Sequence, residues 1–137
     1  MITLNVKLHG VDRVLATLRR GVNLDDAIGH GLGEWAKDVH DGQLYGMENY
    51  APPPANSSYI RTGRLGANWG LSRPRKTAVS FNNTSSYARY VVGDSQGGRQ
   101  AAIHAGRWWI ARKKILAAVP EAHNHINRAV RRRLLSR

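Results

Sequence analysis

The sequence predicts an α+β fold: a small antiparallel β-sheet packed against one long α-helix, with an extended loop arm and a basic C-terminal helix. Three observations predict it. Ile2, Leu4, Val6 and Leu8 alternate with polar residues, the period of a half-buried strand. Leu24, Ile28, Leu32, Trp35 and Val39 step by four, four, three and four, the stripe of an amphipathic helix. Pro52, Pro53 and Pro54 then break the chain before a series of short, β-prone segments.

In order along the chain, Gly10 ends the first strand, and Val11, Val14, Leu15 and Leu18 form the face of a short helix that Gly21 stops. Asn23 caps the long helix, with Asp25 and Asp26 favoured by the dipole in its first turn. The helix runs to about Met47. Its Gly29, Gly31 and Gly33 each weaken it by roughly 1 kcal/mol relative to Ala, which points to a neighbour approaching closely. The arm spans about residues 48–64. Leu65 to Leu71 reads as a strand, "SRPRK" as a turn, and Ala78 to Phe81 as the next strand. "SSYARYVVG" reads as a third, centred on Tyr90 to Val92. "GDSQGGRQ" is a flexible loop, and "AAIHAGRWW" a further strand or edge. Helical patterning resumes near Ile110. Pro120 suits the first turn of a last helix, about 118–136, with Ala122, Ile126, Val130 and Leu134 on its apolar face. No repeat divides the 137 residues, which read as one domain.

Lys and Arg number 21 against 9 Asp and Glu, a net charge of +12, so polyanions and acidic proteins are natural partners. The charge is uneven. From Arg107 onward there are nine Lys or Arg and a single acid, Glu121, whereas Asp25 to Glu48 holds six carboxylates against Lys37. Such polarity favours pairing between copies. The absence of Cys excludes disulfides and thiol chemistry. The N-terminus lacks the pattern of a signal peptide, no run is long enough for a membrane span, and the chain is expected to be made in the cytoplasm.

Candidate chemistry is sparse. His30 and His40 are ten apart and His123 and His125 two apart, neither a metal-ligand spacing on a helix. "DSQGGRQ" lacks the Lys-Ser/Thr of a phosphate loop. The carboxylates of the long helix lie on its polar side, and no nucleophile–base pair can be assigned, so no catalytic residue, metal or cofactor is expected. His104 beside Arg107 reads either as a polar contact to DNA or a partner, or as a structural histidine. Arg128, Arg131 and Arg132 share a helix face, preceded by Arg112, Lys113 and Lys114. These contact either phosphates or acidic protein surfaces, the chain's own acidic helix included.

The order of elements, with Pro52–Pro54 leading into Thr62-Gly63-Arg64-Leu65, then Tyr87-Ala88-Arg89-Tyr90-Val91-Val92-Gly93 and the "HAGRW" segment, resembles the tail-completion or neck proteins of tailed bacteriophages, the HK97 gp10-like family. The triple proline and the basic last helix depart from that pattern. The resemblance implies a structural virion protein located in the neck. It would form a homo-oligomeric ring, six-fold in the particle though monomeric when isolated. Its neighbours would be a head-side connector or stopper protein and a tail terminator or tail tube protein, with genomic double-stranded DNA passing through. On this reading Tyr59, Arg61, Thr62, Gly63, Arg64, Leu65 and Trp69 form a gripping arm. Gly63 makes its turn, Thr62 bonds locally to the backbone, Leu65 roots it on the sheet, and Tyr59 and Trp69 are amphipathic interface anchors. The alternative is a free, basic nucleic-acid-binding protein, although no helix-turn-helix, zinc-ligand or RNA-binding strand motif is present.

Overall fold

The computed structural model describes residues 1–7, 24–46, 49–58 and 60–136. The expected helix at Val11 to Leu18, its Gly21 stop, the Asn23 cap, Met47 and Tyr59 lie outside the described residues.

The α+β expectation holds. A three-stranded antiparallel sheet of order β1-β3-β2 is built from β1 (Ile2–Lys7), β2 (Trp69–Arg75) and β3 (Ala78–Asn83). Leu4 and Leu71 both stand opposite Phe81, while Ile2 and Trp69 both stand opposite Asn83. One face of the sheet therefore presents Ile2, Leu4, Leu71, Val79 and Phe81 to the core. Helix α1 (Asp25–Val39) covers this face and buries Leu32, Trp35, Ala36 and Val39. Asp25 and Asp26 occupy its first turn, as the dipole favours.

The α-helix stops at Val39, short of the expected end, and continues as a π-helical turn over His40–Leu44. The wider turn places Leu44 in the core and aims the His40 ring at the sheet, where Nε2 lies 3.0 Å from the Trp69 carbonyl.

Several sequence expectations need correction. Leu65 does not begin a strand: Arg64–Ala67 is one helical turn, α2, and β2 starts at Trp69. "SRPRK" is not the turn, because Ser72 to Arg75 belong to β2 and the chain reverses at Lys76 and Thr77. Pro74 is tolerated there because β2 is an edge strand with an irregular register between Ser72 and Arg75.

"YARYVV" is not a strand either. It forms helix α3 (Ala88–Val92), burying Ala88, Val91 and Val92 at helical spacing. "AAIHAGRWW" is a succession of turns, with Gly106 at φ 72°, and no strand. "DSQGGRQ" is organised around Asp94, whose Oδ1 accepts from the Gln96 and Gly98 amides at 3.0 and 2.9 Å.

The last helix, α4 (Ala111–Leu135), is one unbroken element of 25 residues and passes through Pro120. Its buried face is Ala111, Ile115, Ala118, Ala122 and Ala129, flanked by part-buried Ile126 and Val130, while Leu134 is exposed. These small side chains let α4 lie close along α1. The helices meet at Gly31, where an added Cβ would sit 2.6 Å from the Ile126 Cα. Gly29 and Gly33 similarly make room for Lys76 and the Arg73 guanidinium, so the glycines mark close approaches as expected.

Pro120 is exposed and sits where an amide would otherwise bond to the Leu116 carbonyl. Packing against α1 holds the helix together despite it. Pro120→Ala should therefore stabilise the chain, by up to about 3 kcal/mol from restored helix propensity less ~0.4–1 kcal/mol of lost chain stiffening. Urea denaturation would show the midpoint rising. A fall would mean that the proline fits its place without strain.

Candidate functional site

The three segments that carry the family resemblance lie far apart in sequence and meet around one groove. Its ≈ 430 Å³ are lined by Pro53 and Pro54 of the arm, Arg61 to Gly66, Tyr87, Tyr90 and Val91 of α3, and His104, Arg107 and Trp108, with Tyr50 at the base.

Each wall is fixed separately. Gly63 takes the left-handed conformation (φ 70°) that starts α2, which only glycine enters without penalty. Leu65 is buried in the core cluster, and its carbonyl accepts a bond from Asn83 Nδ2 at 2.7 Å. Asn83 is fully buried at the end of β3, and its Oδ1 accepts from the Ser85 amide at 3.0 Å. This satisfied buried amide roots the turn. It escaped the sequence reading because an Asn near a strand end resembles any other loop residue.

The α3 wall is joined to the turns beyond it by Gln100, whose Nε2 donates to the Val91 and Trp108 carbonyls at 2.8 and 3.0 Å. The arm is tied across by Arg107 Nη2 to the Pro52 carbonyl at 2.8 Å and by Trp109 Nε1 to the Asn49 carbonyl at 2.7 Å.

The expected arm residues divide. Arg61 is half-buried, with its guanidinium 5.0 Å from the Trp108 ring centroid, and Arg64 and Thr62 are exposed at the rim. Among the described residues Thr62 makes no local backbone bond, and the turn is held instead by the Ala67 amide on the Gly63 carbonyl at 3.0 Å. Trp69 is not an interface anchor. It is buried, and its Nε1 donates to the Tyr50 hydroxyl at 2.8 Å. Its ring stands opposite Asn83 on the core face, so no neighbour reaches it.

Tyr50 is the missed centre of the site. Its hydroxyl donates to the Leu44 carbonyl at 2.6 Å, and its ring lies 5.5 and 5.2 Å from Trp108 and Trp109. Burial pushes the hydroxyl up to about 12 from 10.0, with the Trp69 bond opposing the shift. The unfolded chain releases this proton near 10.0 while the folded chain holds it to about 12, so stability falls with rising pH across that window. Urea midpoints measured through it should decline more steeply for the native chain than for Tyr50→Phe. Parallel declines would contradict the assignment.

The basic residues form two patches on α4. Arg112, Lys113 and Lys114 stand in its first turn, about 24 Å along the helix from Arg128. Arg112 and Lys113 are exposed, while Lys114 Nζ lies 4.7 Å over the Trp109 ring, where burial lowers its pKa. At the far end Arg132 Nη2 meets Glu34 Oε2 of α1 at 3.2 Å, so part of the arginine face serves the chain's own acidic helix. Arg128 and Arg131 are exposed. Other carboxylates of α1 and the π-helical turn are engaged too: Asp26 with Lys76 at 2.6 Å, Asp38 with His125 at 3.4 Å and Asp41 with His40 at 2.7 Å.

Among the described residues, no three His, Asp or Glu are placed to hold a metal ion, and no helix is long and apolar enough to cross a membrane. A scan of protein-family models and searches of curated proteins and of solved structures found no match to the chain.

Proposed function

We propose that the chain is a structural virion protein of a tailed bacteriophage. It forms part of the ring in the neck that joins the head connector to the tail and leaves a passage for DNA. The observation that supports this reading is the convergence of the "RTGRL", "YARYVVG" and "HAGRW" segments on a single open groove beside an exposed proline arm. Beside His104, Ser57 and Thr62 this groove gathers aromatic rings, prolines and guanidinium groups, the materials of an interface. Function on this reading is assembly. The arm and groove rim order against adjoining neck proteins, bury apolar surface, and seal the joint between the stopper and the tail tube or terminator.

Deleting the gene should leave filled heads that fail to join functional tails, with joining restored by the gene in trans. Normal infectious particles from the deletion strain would refute the reading.

One observation favours a second reading, a free nucleic-acid-binding protein: Arg128 and Arg131 are open to solvent. A salt titration of duplex DNA binding separates the two. Tight binding at physiological salt with a steep log–log slope fits the free binder. Weak binding lost as salt rises fits a conduit.

A further inference from the structure

The groove carries a charge and a surface chemistry that together select an occupant. Arg61, Arg64, Arg107 and His104 stand around it, and among the described residues no carboxylate lines it. The Arg61 Nε is buried and, among the described residues, has no hydrogen-bond partner. Tyr87 and Tyr90 are 41% and 45% exposed on the open wall, a large apolar surface for a solvent-facing position. The volume of ≈ 430 Å³ falls in the range of about 300–1,000 Å³ usual for binding clefts.

Of the chain's own described acids, Asp26, Glu34, Asp38 and Asp41 are engaged away from this rim. A second copy has fewer free carboxylates to offer, because these four are already paired within the fold. Single-stranded nucleic acid needs open aromatic faces for its bases. Here Arg61 covers one face of Trp108 and Arg89 one face of Tyr90 at 4.7 Å, which reduces the stacking surface on offer. Ring edges, proline faces and guanidinium N–H groups remain, and these match apolar side chains and carboxylates.

We propose that the groove is a docking site for an acidic, extended peptide segment of a different protein, one in which carboxylates alternate with aliphatic or aromatic anchors. Carboxylates bridge Arg61 and Arg64 while the anchors pack between Pro53, Tyr87 and Trp108. Only the identification of that protein as a neck neighbour rests on the reading above; the chemistry of the groove does not.

The test is a selection of displayed random dodecapeptides on the purified full chain. Arg64→Glu reverses one rim charge at an exposed position, Trp108→Ala removes the groove's aromatic floor, and Arg131→Glu serves as a distant control. Melting curves confirm that each variant folds. Enriched peptides should pair Asp or Glu with Leu, Phe, Tyr or Trp. A synthetic copy of the leading peptide should bind about tenfold more weakly to Arg64→Glu, a difference of about 1.4 kcal/mol, and should bind Arg131→Glu normally. Four results would overturn the proposal: no enrichment, enrichment of peptides without carboxylates, equal loss with Arg131→Glu, or displacement of the peptide by oligothymidylate. Each of these can occur whether or not the chain is a neck protein, so the two readings fail separately.

Discussion

Trp35→Ala is expected to cost about 3–5 kcal/mol of folding stability. Trp35 is fully buried between the sheet and α4, and two contacts run through it. Its ring meets Phe81 edge-on at 6.1 Å and 85°, the favoured aromatic geometry, which couples α1 to the central strand. Its indole Nε1 donates to the Ala118 carbonyl at 2.8 Å, which couples α1 to α4. Truncation leaves a cavity where α1, the sheet and α4 meet on one side chain. Domains of this size have about 5–15 kcal/mol in total, so the variant should lose a large part of its stability. Trp35→Phe keeps most of the bulk and removes the hydrogen bond, worth about 0.5–1.5 kcal/mol. Chemical denaturation of both variants separates the contributions. A loss below about 1 kcal/mol for Trp35→Ala would mean that Trp35 does not tie the layers together.

Gly31→Val should be nearly as damaging, for the opposite reason: too much matter. A Cβ at Gly31 would lie 2.6 Å from the Ile126 Cα and 2.7 Å from the His125 carbonyl oxygen. Both neighbours are backbone, so no side chain can swing aside. The helices must separate along the seam that also buries Leu24, Ile28, Ile126 and Val130. Overpacking of this kind costs about 1–3 kcal/mol and sometimes more. Gly42→Ala is the control, because nothing lies within 4 Å of its added Cβ. It should be neutral or mildly stabilising. If Gly31→Val and Gly42→Ala have the same denaturation midpoint, α1 and α4 are not in backbone contact.

The α1 stripe and the strand alternation were legible because they are long and strictly periodic. The glycines of α1 were legible as close approaches, though which neighbour came near was not. α3 was misread because Tyr, Val and Val are β-prone and five residues are too few to separate a period of two from 3.6. Its helical state is set by burial of Ala88, Val91 and Val92 in the core. Pro120 was misread as a helix start because local rules price the missing amide but not the packing that outweighs it. Arg61 to Leu65, singled out in the sequence, line the groove, yet Trp69 was given an outward role. Nothing in its neighbours tells an interface tryptophan from one whose N–H finds Tyr50 inside the fold. The groove itself was beyond the sequence, since it joins Pro53, Arg61, Tyr87 and Trp108 across more than fifty residues.

Electron cryo-microscopy of purified particles, with this chain located by its own fold, addresses the central claim most directly. The account predicts a ring of copies at the joint between head and tail, each with its proline arm and groove turned toward an adjoining protein. Particles that are complete and infectious with no density for the chain at that joint would contradict it.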